Sequence, residues 1–218
     1  MQRFAPANVT LGLHWHPYSD NIMPPILDQP DLVPVKGAHI LVYLPFEDQA
    51  GVTRLLQRFP GQQFVQYSAA ISDSICANVL RRRASIKHFK QHLATCSAVI
   101  CNNGFELISE CLQWGKPILT RPLAGQVEQL SNALALQQLG YATVMESLSE
   151  AALARWLRGP TNAPRIRFPD VADTLARWLA AGAAASPASL AERLWECSDH
   201  IAVPPRETTL DSLRVCGP

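Results

Sequence analysis

From His39 to Leu157 short apolar runs rich in β-branched residues alternate with segments of helical period, and this alternation limits the fold more than any other feature. His39–Phe46 (HILVYLPF), Gln63–Ser68, Ala98–Asn102, Pro117–Pro122 and Ala142–Met145 predict strands. Gln49–Phe59, Ser85–Ala94, Phe105–Trp114, Gln126–Leu139 and Glu150–Leu157 predict helices, while the stretch between Ser68 and Arg83 shows neither period. Gly115 and Gly140 fall just past two of those helices, where a left-handed residue closes the last turn. Strands that alternate with helices need crossover connections, so the sheet is expected to be parallel and covered on both faces.

That arrangement is a Rossmann-like α/β domain over about residues 38–160. Its flanks differ in character. Residues 1–37 are rich in proline and polar side chains and read as a linker or interdomain edge. Residues 161–202 carry two further helices, Val171–Ala181 and Leu190–Cys197, with Ala180–Ala188 as a hinge, and 203–218 read as a flexible tail. With 48% hydrophobic residues a packed core is available, and a formal charge of +1 gives no whole-chain field toward nucleic acid or an acidic membrane. No run of about 18 apolar residues and no basic-then-apolar leader occurs, so a cytoplasmic location is expected. The six cysteines lack a CxxC pair and read as reduced thiols; zinc through Cys96 and Cys101 would need two more ligands that no spacing announces.

In an open α/β sheet ligands bind beyond the carboxyl ends of the strands, near the point where strand order reverses. Strand Ala98–Asn102 runs into Asn103-Gly104-Phe105 and then a helix, so the amides of Phe105 and Glu106, with the positive end of the dipole, suit a phosphate. Glu110, on the same helix, reads either as a solvated residue or as an acceptor for the vicinal hydroxyls of a ribose. Gln126, Glu128 and Gln129 open the next helix; they complement its dipole or hold sugar hydroxyls. The run Arg81-Arg82-Arg83 is either a solvated basic face or a set of guanidinium forks for a diphosphate. His88 and His92 stand one helical turn apart without an evident third metal ligand, and read as surface-helix residues.

Order and spacing of these pieces carry more than each alone. The segment Asn103 to Leu136 (N-G-F-E-L-I-S-E-C-L-x-x-G-K-P-I-L-x-x-P-x-x-G-Q-V-E-Q-x-x-N-A-L-x-L) resembles the C-terminal domain of GT-B glycosyltransferases, in particular the peptidoglycan GlcNAc-transferase group and its prokaryotic relatives. Leu13-His-Trp-His-Pro17 with Ile22-Met-Pro-Pro-Ile26 is similar to their interdomain linker, and Tyr43-Leu-Pro-Phe-Glu47 to their first strand and loop. The likeness covers about residues 9–146. It implies a nucleotide-sugar donor, usually a UDP-sugar, with Ser85 and Ile86 at the base, Phe89 closing that pocket, the Gly104 turn on the diphosphate, Glu110 on the ribose, and Glu128 with Gln129 on the sugar. Where relatives carry a glycine-containing loop after their first strand, this chain has the acidic Pro45-Phe46-Glu47-Asp48. No Asp-x-Asp motif is present, and the resemblance implies neither a metal nor another cofactor.

The resemblance leaves acceptor site and catalytic base to a preceding domain or a partner subunit, through which any peripheral membrane association would come. On its own, this chain is expected to bind donor and transfer nothing. Three readings follow: a truncated or split glycosyltransferase, analogous to the two-subunit GlcNAc-transferase of dolichol-linked glycan synthesis; a nucleotide-sugar epimerase domain; and a non-catalytic nucleotide-binding module. Exposed apolar surface near Trp15, Ile22 and Ile26 would favour the first two.

Overall fold

A computed structural model describes residues 7–28, 32–159 and 163–200; the expected tail and Cys216 lie outside them. Two short parallel strands, β1 (Gly12–Leu13) and β2 (Ile22–Met23), come first. Then follow β3 (His39–Tyr43), α1 (Gln49–Gln57), β4 (Gln63–Ser68), β5 (Ser74–Cys76), β6 (Val79–Arg83), α2 (Ile86–Thr95) and β7 (Ala98–Asn102). The chain continues through α3 (Phe105–Trp114), β8 (Ile118–Arg121), α4 (Val127–Leu139), β9 (Thr143–Val144) and α5 (Glu150–Leu157). It closes with β10 (Ile166–Arg167), α6 (Val171–Ala180), α7 (Pro187–Glu196) and β11 (Asp199–His200).

Seven strands form the main sheet in the order β5-β6-β4-β3-β7-β8-β9, and only β5 runs antiparallel to its neighbour. Strand order therefore reverses between β3 and β7, which opens a crevice at their carboxyl ends. The Rossmann-like expectation holds, and the stretch after Ser68 resolves as the β5–β6 hairpin. Its turn is Ala77-Asn78, with Ala77 at φ 54°. The Asn78 amide donates to the carbonyls of Leu56, Phe59 and Gln62 at the end of α1, at 3.3, 2.9 and 2.9 Å.

Strand alternation sorts the core into two layers. Leu41, Val65, Val99 and Cys101 face Leu93 of α2, Ile108 and Leu112 of α3 and Leu136 of α4. Ile40, Val42, Phe64, Ile100 and Leu119 face Val52 and Leu56 of α1 and Leu153 of α5. Each such side chain contributes about 1.5–3 kcal/mol when fully buried. Below the sheet, Lys116 is 4% exposed and donates at 2.8 Å to each of the Val35, Ala94 and Cys96 carbonyls, two of them at the negative end of α2.

The N-terminal segment packs onto the domain. Trp15 is fully buried, stacks on Phe105 with ring centroids 4.8 Å apart, and donates its indole N–H to Ser109 Oγ at 2.8 Å. Met23 packs with Val171, Leu190 and Leu194 of the last helices, and Trp195 donates to the Ile22 carbonyl at 2.7 Å. Of the three residues expected at an exposed apolar surface, Trp15 lies inside and Ile22 is half-buried, while Ile26 is exposed, as are Leu13 and Tyr18 of the same segment. The expected hinge is a tied connection: Trp178 donates to the Ala185 carbonyl at 2.9 Å, and Ser186 caps α7 ahead of Pro187. No helix among the described residues is long and apolar enough to cross a membrane.

Candidate functional site

The crevice floor is made by the turns that leave β3, β7 and β8. Asn103 is wholly buried: its Nδ2 donates to the Gln129 carbonyl at 2.6 Å, and its Oδ1 accepts from Thr120 Oγ1 at 3.1 Å. Gln129 Oε1 accepts the backbone N–H of Asn103 at 3.3 Å and of Leu123 at 3.0 Å. Two of the residues assigned to the donor thus bind the β7–α3 turn to the β8–α4 turn. Beside them the exposed Gln126 and Glu128 open α4.

Helix starts differ around the molecule. Asp48, Ser149, Asp170 and Ser186 cap α1, α5, α6 and α7 with side-chain hydrogen bonds. Ser85, Gly104 and Gln126, ahead of α2, α3 and α4, make no such bond. Those three helices follow β6, β7 and β8, so the first-turn amides without intrahelical partners gather at one end of the sheet. At Gly104 the backbone is extended, φ −73° and ψ 142°, and a Cβ would meet nothing within 4 Å. Neither dihedral nor packing requires a glycine there.

Charges nearby are mostly paired. Glu110 and Lys90 form a close ion pair with both side chains 14% exposed. Burial raises the Glu110 carboxyl above its ordinary range, and the hydrogen bond from Lys90 opposes that shift. Glu47 pairs closely with Arg121, and Asn102 Nδ2 donates to the Arg121 carbonyl at 3.2 Å. Asp48 accepts from the amides of Ala50 and Gly51, so the acidic loop after β3 is neutralised by a guanidinium and a helix start. In the triple-arginine run Arg82 is held by Asp73 at 3.0 Å, and the Arg83 N–H meets the same carboxylate at 2.7 Å.

At the start of α2 Ile86 is 80% exposed, and Phe89 packs edge-on against Tyr43 and Tyr67, each 5.2 Å away between ring centroids. His92 is half-buried, and its Nδ1 and the Tyr67 hydroxyl share a hydrogen bond at 2.7 Å. Burial holds His92 below its ordinary pKa. His88 is exposed and lies near Ser85 instead. Among the described residues no three His, Cys, Asp or Glu side chains gather as a metal site. Burial pushes the Cys96 thiol up to about 11 and the Cys101 thiol up to about 12, which keeps both protonated. The pairing of Lys90 with Glu110 and of Glu47 with Arg121 was not visible in the sequence, because the partners lie 20 and 74 residues apart.

A family model described as glycosyl transferase family 1 matches residues 16–159. No curated protein sequence matches the chain. Among solved structures, the glycosyltransferase SnogD from Streptomyces nogalater is 22% identical, with 82% of this chain and 51% of that one covered and a TM-score of 0.46. The calicheamicin glycosyltransferase CalG4 is 16% identical over 82% of this chain and 49% of its own, with a TM-score of 0.49. The glycosyltransferase VinC, in complex with DTDP, is 17% identical over 88% and 49%, with a TM-score of 0.47. The chain spans about half the length of these glycosyltransferases.

Proposed function

The chain belongs to glycosyl transferase family 1, and from that premise we propose that it is the donor-binding part of a hexosyltransferase that uses a UDP-sugar. The observation that carries this reading is the Gly104 turn: a glycine with no conformational or packing need, at an uncapped helix start, on the crevice where strand order reverses. A missing Cβ and free amides suit close approach of a diphosphate.

In this reading the backbone at Ser85 and Ile86 meets the base and Phe89 closes the pocket. Glu110 accepts from the ribose hydroxyls, and Gln126 with Glu128 faces the sugar. Asn103 and Gln129 act behind the surface, keeping the two turns in register. An acceptor hydroxyl attacks the anomeric carbon, the bond from that carbon to the diphosphate oxygen breaks, and the developing charge meets the ends of α3 and α4. The acceptor site and the base that takes the hydroxyl proton come from a second domain or a partner subunit.

Calorimetric titration with UDP, TDP and GDP tests the assignment. Wild type is expected to bind UDP; Glu110→Ala, which removes a charged acceptor, should lose roughly tenfold or more. Gly104→Ala should keep the wild-type melting temperature and still bind UDP more weakly, because its methyl group occupies ligand space alone. Glu128→Ala should weaken a UDP-sugar more than UDP. A wild type that binds none of the three nucleotides, or Glu110 and Gly104 variants that bind UDP unchanged, would refute the reading.

A further inference from the structure

Helices α2 and α3 and the N-terminal segment converge on one lysine. Lys90 Nζ pairs closely with Glu110 Oε1, donates to the Asp28 carbonyl at 3.3 Å and lies 3.7 Å from Asp28 Oδ2. The Lys90 side chain is 14% exposed, and the groups paired with its ammonium are oxygens of Glu110 and Asp28. Among the described residues Glu110 Oε2 accepts no hydrogen bond. One carboxylate oxygen is therefore clamped, and the other has no partner among those residues.

We infer that Lys90 is a positioning residue: by holding Oε1 it fixes Glu110 with Oε2 presented to a vicinal diol, and so gives the site its preference for a ribonucleoside over a 2′-deoxyribonucleoside diphosphate. The inference rests on the donor reading above. A carboxylate free to swing meets a diol in several orientations; one gripped at Oε1 keeps a single approach. The charges that face Glu110 are Lys90 from α2, Asp28 from the N-terminal segment and Glu106 one turn earlier on α3. Both acids oppose ionisation of Glu110, as does burial, so Lys90 alone among them favours the charged form that accepts from both hydroxyls.

Lys90→Met and Lys90→Arg are compared with wild type in two measurements. In the first, UDP and 2′-deoxyuridine diphosphate are titrated between pH 6 and 9. Wild type should prefer UDP by roughly tenfold at pH 7, the cost of one lost hydrogen bond to a charged acceptor. Lys90→Met should weaken that preference at pH 7, and the more so as the pH falls and Glu110 takes up a proton, whereas Lys90→Arg should keep it. In the second, the Glu110 side-chain carbon is followed by NMR in the ligand-free protein, assigned with Glu110→Gln. Its titration midpoint should rise in Lys90→Met. A wild type that binds neither nucleotide overturns the donor reading and the ribose preference with it. A wild type that binds UDP beside a Lys90→Met protein that discriminates equally at pH 7, or a midpoint that does not move, overturns the role of Lys90 alone.

Discussion

Gln129 and Glu128 are neighbours in sequence, yet they do different work. Gln129 is 8% exposed and its Oε1 takes two backbone amides, whereas Glu128 is exposed. Gln129→Leu should therefore leave two donors without an acceptor and cost about 2–4 kcal/mol in urea unfolding, against at most about 0.5 kcal/mol for Glu128→Ala. Equal losses in the two variants would show that the buried amide is not what holds the turns. The resemblance placed both residues on the sugar. Consecutive helical positions point about 100° apart, so the two side chains meet different surroundings. Asn103, beside the Gly104 turn, is like Gln129: both ends of its side chain are bonded inside. Glu110 was legible as a carboxylate on a helix; its lysine was not, since a strand separates the two in sequence.

At the level of elements, Trp15 couples the N-terminal segment to α3. Replacing it by Ala should cost about 3–5 kcal/mol, while Trp15→Phe, which keeps the stack on Phe105 and loses the bond to Ser109, should cost about 1–2 kcal/mol; thermal and urea unfolding would separate the two. A mild effect from the Ala variant would mean the segment docks without Trp15. This dock was hidden in the sequence, because strands two residues long between prolines show no period. Where periods are long the reading succeeded: β4, β7, α3 and α5 have the expected bounds. The β5–β6 hairpin failed for a different reason. Its turn places an alanine, not a glycine, at positive φ, and three arginines form the strand's end. Pairing with β4 makes that segment a strand where local composition would not.

For the whole molecule, acid should be destabilising. Burial lowers the pKa of His14, His39 and His92 from 6.5, so the stability tied to their neutral forms is complete above that value and is lost as pH falls through the folded values. Glu110 works the other way: its raised pKa makes burial cheaper once it is protonated. With three groups against one, the melting temperature is expected to fall between pH 7 and pH 5; a rise would mean that relief of Glu110 dominates. The order of the strands has a consequence for self-association. The outermost strands are stubs, three residues in β5 and two in β9, so little unpaired backbone is left along either margin. A fibril grows by templating strand upon strand along such a margin, and here the template runs out after a step or two. The main sheet of the folded state therefore offers little template for seeding amyloid.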